Sequence, residues 1–224
     1  LHLTYNAPHT PLQAPEEDLA VFRDRDDLSE AVKTLYAMIR RLDRNVGRLL
    51  ESVDQLGLRE NTLIVFSSDN GPQFGGSGDD CLDRFNCQLH GSKGSTYEGG
   101  IRVPLIMRGP GRMRAGTASH QVCATFDLTR SILTLAAAKV PANRLDGFDI
   151  VNHITARKPD FPRTLFWRGK RGNRTWSAVR DEDLKFVRKT EGKTQEWLFD
   201  LSKDIGEKND LSRARPKQVT RLKK

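Results

Sequence analysis

Apolar residues at Leu28, Val32, Leu35, Ile39, Leu42, Val46, Leu49, Val53 and Leu56 recur in alternating steps of four and three, the spacing that lines one face of an α-helix. Gly57 follows where a helix C-cap belongs. The pattern predicts one long amphipathic helix. Because a buried strand comes next, that helix is expected to pack on a sheet rather than enter a coiled coil. Leu63-Ile64-Val65-Phe66 is apolar without alternation and ends in Ser67-Ser68-Asp69-Asn70-Gly71. Such a run after a helix predicts a central strand of a parallel sheet covered on both faces. Ile101 to Met107 predicts a second buried strand, and Phe126 to Ala138 a helix with Asp127 as its cap.

Beyond Pro141 the segments shorten. Thr164 to Arg168, Thr175 to Arg180, Leu184 to Arg188 and Glu196 to Leu201 read as strands of a small antiparallel sheet, separated by basic and glycine-bearing turns, and Pro216 to Lys224 reads as a terminal helix. The fold class expected is α/β: a mixed, mostly parallel sheet sandwiched by helices, with a smaller C-terminal antiparallel sheet. Residues 1–155 form the α/β domain in this reading and residues 156–224 the small subdomain with its terminal helix.

Composition narrows the class. The 224 residues are 37% hydrophobic, enough to build a core and too apolar for an intrinsically disordered chain. The longest apolar runs fall far short of the roughly 18 residues of a membrane-spanning helix. The chain starts at Leu1 with no leader pattern and reads as a piece of a longer protein. The net charge of +8 is unevenly spread, since residues 101–224 hold 27 of the 37 basic side chains and 13 of the 29 acidic ones. A basic half suits either a polyanionic partner or a solvated surface. No RNA- or DNA-reading motif accompanies it, so no nucleic acid is expected as a partner. Cys81, Cys87 and Cys123 leave at least one thiol unpaired. Cys81 and Cys87 bracket a short polar loop that either closes a disulfide or holds two free thiols.

Candidate chemistry gathers where a strand ends, as ligands do in parallel α/β sheets. Asp69 and Asn70 offer hard oxygen donors of the kind Ca²⁺ or Mg²⁺ prefers, and Asp-Asn-Gly is equally an ordinary turn. Lys93 sits between small residues in Gly91-Ser92-Lys93-Gly94, either as a solvated lysine or as a cation an oxyanion can approach closely. His9, framed by Pro8 and Pro11, is either idle or a positioned imidazole able to protonate a leaving oxygen.

Taken in order, Tyr5-Asn6-Ala7-Pro8-His9-Thr10-Pro11-Leu12, Phe66-Ser67-Ser68-Asp69-Asn70-Gly71-Pro72 and His90-Gly91-Ser92-Lys93-Gly94-Ser95-Thr96-Tyr97-Glu98-Gly99-Gly100 resemble the sulfatase family, related to the alkaline phosphatase superfamily. Trp197-Leu198-Phe199-Asp200-Leu201, with Asp204 and Glu207-Lys208-Asn209-Asp210-Leu211, is similar to the family's C-terminal signature. The resemblance implies an arylsulfatase-like sulfuric ester hydrolase with an alkaline-phosphatase-like fold. It implies that Asp69 and Asn70 help hold one divalent ion, usually calcium, and that His9 and Lys93 contact the sulfate ester. The substrate it implies is a sulfated small molecule or a sulfated glycan, and the location periplasmic or secreted.

One part of the family pattern is missing. Sulfatases carry a formylglycine made from the Cys or Ser of a Cys/Ser-x-Pro-x-Arg motif, and none of the three cysteines is followed by x-Pro-x-Arg. The formylglycine nucleophile and two further metal-binding aspartates are therefore expected outside this chain, and the 224 residues alone are expected to be inactive. Two rival readings remain: a phosphoesterase or phosphonate hydrolase of the same superfamily, and a non-catalytic module whose basic half binds a polyanion.

Overall fold

The structure, a computed structural model, describes residues 1–73, 86–109, 112–139 and 144–223. Cys81, the Pro110-Gly111 pair and Pro141 lie outside them. The described chain forms two compact units, residues 1–62 and residues 63–73 with 86–223.

The first unit is built on the helix that the periodicity predicted. After the short helix α1 (Glu16–Leu19), α2 runs over Glu30–Gln55. Ser29 caps it, its hydroxyl accepting the Val32 N–H at 3.4 Å, and Gly57 follows with φ +68°. The apolar face of α2 buries Val32, Ala37 and Met38. Asp18 of α1 is fully buried against the other side of that seam, within 3.3 Å of Arg40, 2.6 Å of Arg41 and 3.2 Å of Arg44. A carboxylate removed from water is tolerable only with such partners, and three guanidiniums from one helix supply them.

In the second unit, β1 (Ile64–Ser67) follows, and Asp69 and Asn70 lie just beyond its C-terminal end. The short helix α3 (Glu98–Ile101) precedes β2 (Leu105–Arg108). The two strands pair with each other antiparallel, Ile64 opposite Arg108 and Ser67 opposite Leu105. The expected mostly parallel sheet is not seen here: no parallel pair occurs among the described residues. Cover on both faces is also not found, because the cross-strand partners Phe66 and Ile106 are 37% and 61% exposed. An unbroken apolar run carries information about the burial a strand wants, but none about the direction of its neighbour.

Helix α4 (Thr125–Leu135) starts one residue before the predicted span, with Ala124 rather than Asp127 at the N-cap position. Asp127 instead occupies the third helical position, where its carboxylate accepts the Ala124 N–H at 2.7 Å. The same buried carboxylate accepts the Phe148 N–H at 3.0 Å and forms a forked ion pair with Arg163, whose guanidinium lies 4.6 Å from the Phe148 ring centre. Helix α5 (Ile150–Thr155) packs alongside, with Val151 N–H on the Ser131 hydroxyl at 3.3 Å.

The predicted antiparallel sheet is present as β3 (Thr164–Arg171), β4 (Arg174–Asp181), β5 (Leu184–Glu191) and β6 (Lys193–Asp200), paired in sequence order. Its two faces are covered differently. Helix α6 (Pro216–Leu222) packs Val219 and Leu222 against Phe186 and Leu198 on one face. On the other, Tyr97 inserts among Trp176, Ala178, Val187 and Phe199. Tyr97 is thereby the anchor that ties the Lys93 loop to the sheet, and burial pushes its phenol above the usual tyrosine range.

Candidate functional site

The segment after β1 and the segment before α3 are laced together by their backbones. Gly71 N–H donates to the Gly100 carbonyl at 3.0 Å, and Lys93 N–H donates to the Pro72 carbonyl at 2.8 Å. Within the second segment, Gly99 N–H bonds the His90 carbonyl at 2.7 Å, and the buried Asn86 amide bonds the carbonyls of Leu89 and Gly91. So close an approach demands glycine: a Cβ on Gly71 would stand 1.9 Å from the Gly99 oxygen. Gly94, with φ +88°, turns the chain immediately after Lys93. The Gly-rich text around Lys93 therefore encodes backbone contact, and its consequence is that Lys93 is held beside the strand end.

Asp69 is exposed, and its carboxylate makes no ion pair among the described residues. Asn70 donates its side-chain N–H to the Gly71 carbonyl at 2.9 Å, leaving its amide oxygen as an acceptor. Two oxygens at the end of β1 fit part of the donor set of a hard divalent cation, which takes six to eight. Among the described residues no group of three or more His, Cys, Asp or Glu side chains assembles a fuller one. The Lys93 ammonium, half-buried, also has no anionic partner among the described residues.

His9 belongs to the first unit. Its backbone N–H bonds the Asn6 carbonyl at 2.7 Å, and its Nδ1 lies 2.7 Å from the Thr10 carbonyl. A carbonyl only accepts, so Nδ1 carries the proton and Nε2 is the free nitrogen of this exposed ring. The structure thus brings Asp69, Asn70 and Lys93 together in one unit, while His9 is described within the other.

Sequence reasoning passed over the charges beneath the Lys93 loop. Glu98, two residues after Thr96 in the α3 segment, is buried, and so are Lys185 of β5 and Glu207. Lys185 Nζ sits 2.8 Å from Glu98 Oε1 and 2.9 Å from Glu207 Oε1. Glu207 also accepts the Glu98 backbone N–H at 2.6 Å, and Arg102 reaches Glu98 Oε2 at 2.7 Å. Burial pushes the Glu207 carboxyl up. Burial pushes Glu98 the same way, but Lys185 and Arg102 together outweigh it and hold that carboxyl below the usual range. The C-terminal text that resembles a family signature is thereby a clamp on the Lys93 loop: Glu207 holds α3, and Asp210 accepts the Leu198 N–H at 3.0 Å to fix the end of the sheet. The other missed residues are Arg171, Asn173 and Trp176, which face Lys93 from the β3–β4 hairpin. Their signal was a Gly-Asn turn bracketed by Arg171 and Arg174.

Comparisons with known proteins bear on this arrangement. The family model named Sulfatase matches residues 1–138, and that of the N-sulphoglucosamine sulphohydrolase C-terminal region matches residues 90–223. The chain is 34% identical over 159 residues to N-acetylgalactosamine-6-sulfatase of Mus musculus, covering 67% of this chain and 27% of that protein. It is 39% identical over 110 residues to arylsulfatase A of Homo sapiens, covering 49% of this chain and 21% of that protein. Ps i-CgsB, solved in complex with k-i-k-neocarrahexaose, superposes with a TM-score of 0.80 at 32% identity, covering 97% of this chain and 47% of that one. The chain spans about a quarter of the length of these curated relatives and about half of the solved one.

Proposed function

Because the chain belongs to the sulfatase family, we propose that the whole protein hydrolyses sulfate esters with Lys93, Asp69, Asn70 and His9 in its active site. The observation that supports this reading is the backbone lacing of the two loops. Through the Lys93–Pro72 and Gly71–Gly100 hydrogen bonds it holds the Lys93 segment next to the strand end that bears Asp69, neither side chain having an ion-pair partner among the described residues.

The chemistry follows from charge. Cleaving the S–O bond of a sulfate ester leaves negative charge on the departing alcohol oxygen while the sulfuryl oxygens stay anionic. Lys93 binds a sulfuryl oxygen through its ammonium, and its backbone needs no reorganisation, since its loop is already locked by Gly99 and Asn86. Asp69 and the Asn70 amide oxygen would supply two ligands of a divalent cation, calcium in this reading. When bound, that cation neutralises sulfuryl charge. His9 keeps its Nδ1–H on the Thr10 carbonyl, so it acts as the acid in its imidazolium form, giving the Nε2 proton to the leaving oxygen and returning to the neutral Nδ1–H ring. The nucleophile, a formylglycine in this reading, is expected outside these 224 residues, as no Cys-x-Pro-x-Arg sequence occurs in them.

Sulfated saccharides are the substrate class proposed, in keeping with the carrageenan-type oligosaccharide bound by Ps i-CgsB. The test is release of inorganic sulfate by the whole protein, measured by ion chromatography on an aryl sulfate, a sulfated oligosaccharide and a phosphate monoester. Sulfate release is the expected result. Phosphate release alone would assign the site to phosphoryl transfer, and binding without hydrolysis would make the chain a polyanion-binding module.

A further inference from the structure

The Lys93 loop and the tip of the β3–β4 hairpin enclose a cavity of about 290 Å³, close to the lower end of small-ligand sites at roughly 300 Å³. Charge in it is unevenly satisfied. Glu191 is engaged by Arg174 through two hydrogen bonds of 2.9 and 2.8 Å and by Lys189 at 2.8 Å. The Arg174 and Lys189 contacts hold its carboxyl at about 2, so that wall is a closed set of ion pairs at neutral pH. Arg171 is different: it has no anionic partner among the described residues, and neither has Lys93. The Arg171 guanidinium reaches over the loop, one of its terminal nitrogens 3.5 Å from where a Cβ on Gly94 would stand. Two unneutralised cations therefore face one small cavity, with Trp176 in its floor.

The polar lining points the same way. Neither the Ser92 hydroxyl nor the Asn173 side-chain amide has a partner among the described residues, and both line the cavity. Guanidinium is a planar fork that matches sulfate and carboxylate in two-point contact, whereas ammonium is a point charge. A hydroxyl-rich ligand bearing a second anion would engage Arg171 through that anion and Ser92 and Asn173 through its hydroxyls. A simple aryl sulfate would leave all three unused.

We propose that this cavity is a subsite for a second anionic group on a sulfated saccharide, adjoining the ester engaged by Lys93 at its edge, with Arg171 as the specificity-determining residue. The proposal rests on the sulfatase reading for the place of the scissile ester and goes beyond it by fixing the substrate as at least doubly anionic.

The experiment compares the whole protein with its Arg171→Ala, Arg171→Lys and Lys170→Ala variants on 4-nitrophenyl sulfate and on a disulfated disaccharide. Lys170 stands on the opposite face of β3, so its removal takes away the same charge without touching the cavity. Arg171→Ala is expected to lower kcat/KM on the disaccharide about tenfold, through KM, and to leave the aryl sulfate within about twofold. Arg171→Lys should recover part of the loss, and Lys170→Ala should change neither substrate. Equal losses on both substrates, no loss on the disaccharide, or an equal loss in Lys170→Ala would overturn the subsite. If the unsubstituted protein hydrolyses no sulfate ester, the sulfatase reading has failed by itself. Calorimetric titration of the disaccharide then still decides: binding weakened about tenfold by Arg171→Ala supports the subsite, and binding that is absent or unchanged overturns it.

Discussion

Lys185 Nζ lies 2.8 Å from Glu98 Oε1 with both side chains buried, a contact that spans 87 residues of sequence and joins the third strand of the C-terminal sheet to the helix that follows Lys93. Removing one partner of such a pair strands the other charge out of water, which costs about 3–5 kcal/mol. Here the stranded charge is Glu207, which shares the ammonium, while Glu98 keeps Arg102. Lys185→Met is therefore expected to lower stability by about that amount, read from the midpoint of urea unfolding. A midpoint like that of the unsubstituted protein would show that the cluster contributes nothing net.

Acid should find the same cluster. Glu98 is held below its ordinary value in the folded state, so its contribution is present above about pH 4.5 and is lost as pH falls through the lowered value. Glu207 is pushed the opposite way, so it costs stability as pH rises through its raised value and opposes the Glu98 contribution on acidification. Thermal unfolding is expected to show a midpoint that drops as pH falls below about 4.5, and a shallower drop in Glu98→Gln, which removes the titrating group.

Asp127 is the second buried hub. Its carboxylate holds Arg163, the start of α4 and the Phe148 backbone at once. Asp127→Ala would leave the Arg163 guanidinium without its anion, and a loss of about 3–5 kcal/mol is expected in chemical denaturation. Asp127→Asn, which keeps an acceptor oxygen, should cost less.

The lacing of the two loops admits a sharper test at Gly71. A methyl group there would meet the Gly99 carbonyl oxygen at 1.9 Å, so backbone and not a flexible side chain must move. Gly71→Ala is expected to cost about 1–3 kcal/mol or more, and to weaken sulfate-ester turnover beyond what the lost stability explains, because the Lys93 N–H to Pro72 bond is displaced with it. Amide hydrogen exchange at Lys93 reads that bond directly: faster exchange is the expected sign.

Much of this fold is legible in the text. The long helix could be read because nine apolar positions repeat with one period and Ser29 and Gly57 punctuate them. The four C-terminal strands could be read because short runs are separated by turn residues, including Gly172-Asn173 and Gly192 with positive φ at both glycines. The order of the His9, Asp69-Asn70 and Lys93 segments carried the family. What could not be read depends on who stands opposite whom. The antiparallel partner of β1 lies across the intervening loops, and nothing in Leu63 to Phe66 specifies its direction. Lys185, flanked by Leu184 and Phe186, looks like a solvent-facing strand residue, because its two acidic partners are far away in sequence. Arg171 likewise reads as general basicity, because nothing in its neighbouring residues places its guanidinium over Gly94.

The measurement that tests the central claim most directly is the rate of sulfate release by the whole protein against its Lys93→Ala and Asp69→Ala variants, each first shown by urea unfolding to keep its stability. A positioned charge that acts on developing anionic charge is worth about a hundred- to a thousandfold in rate. Losses of that size in both variants are the expected result. Rates equal to those of the unsubstituted protein would contradict a catalytic site built on these two loops.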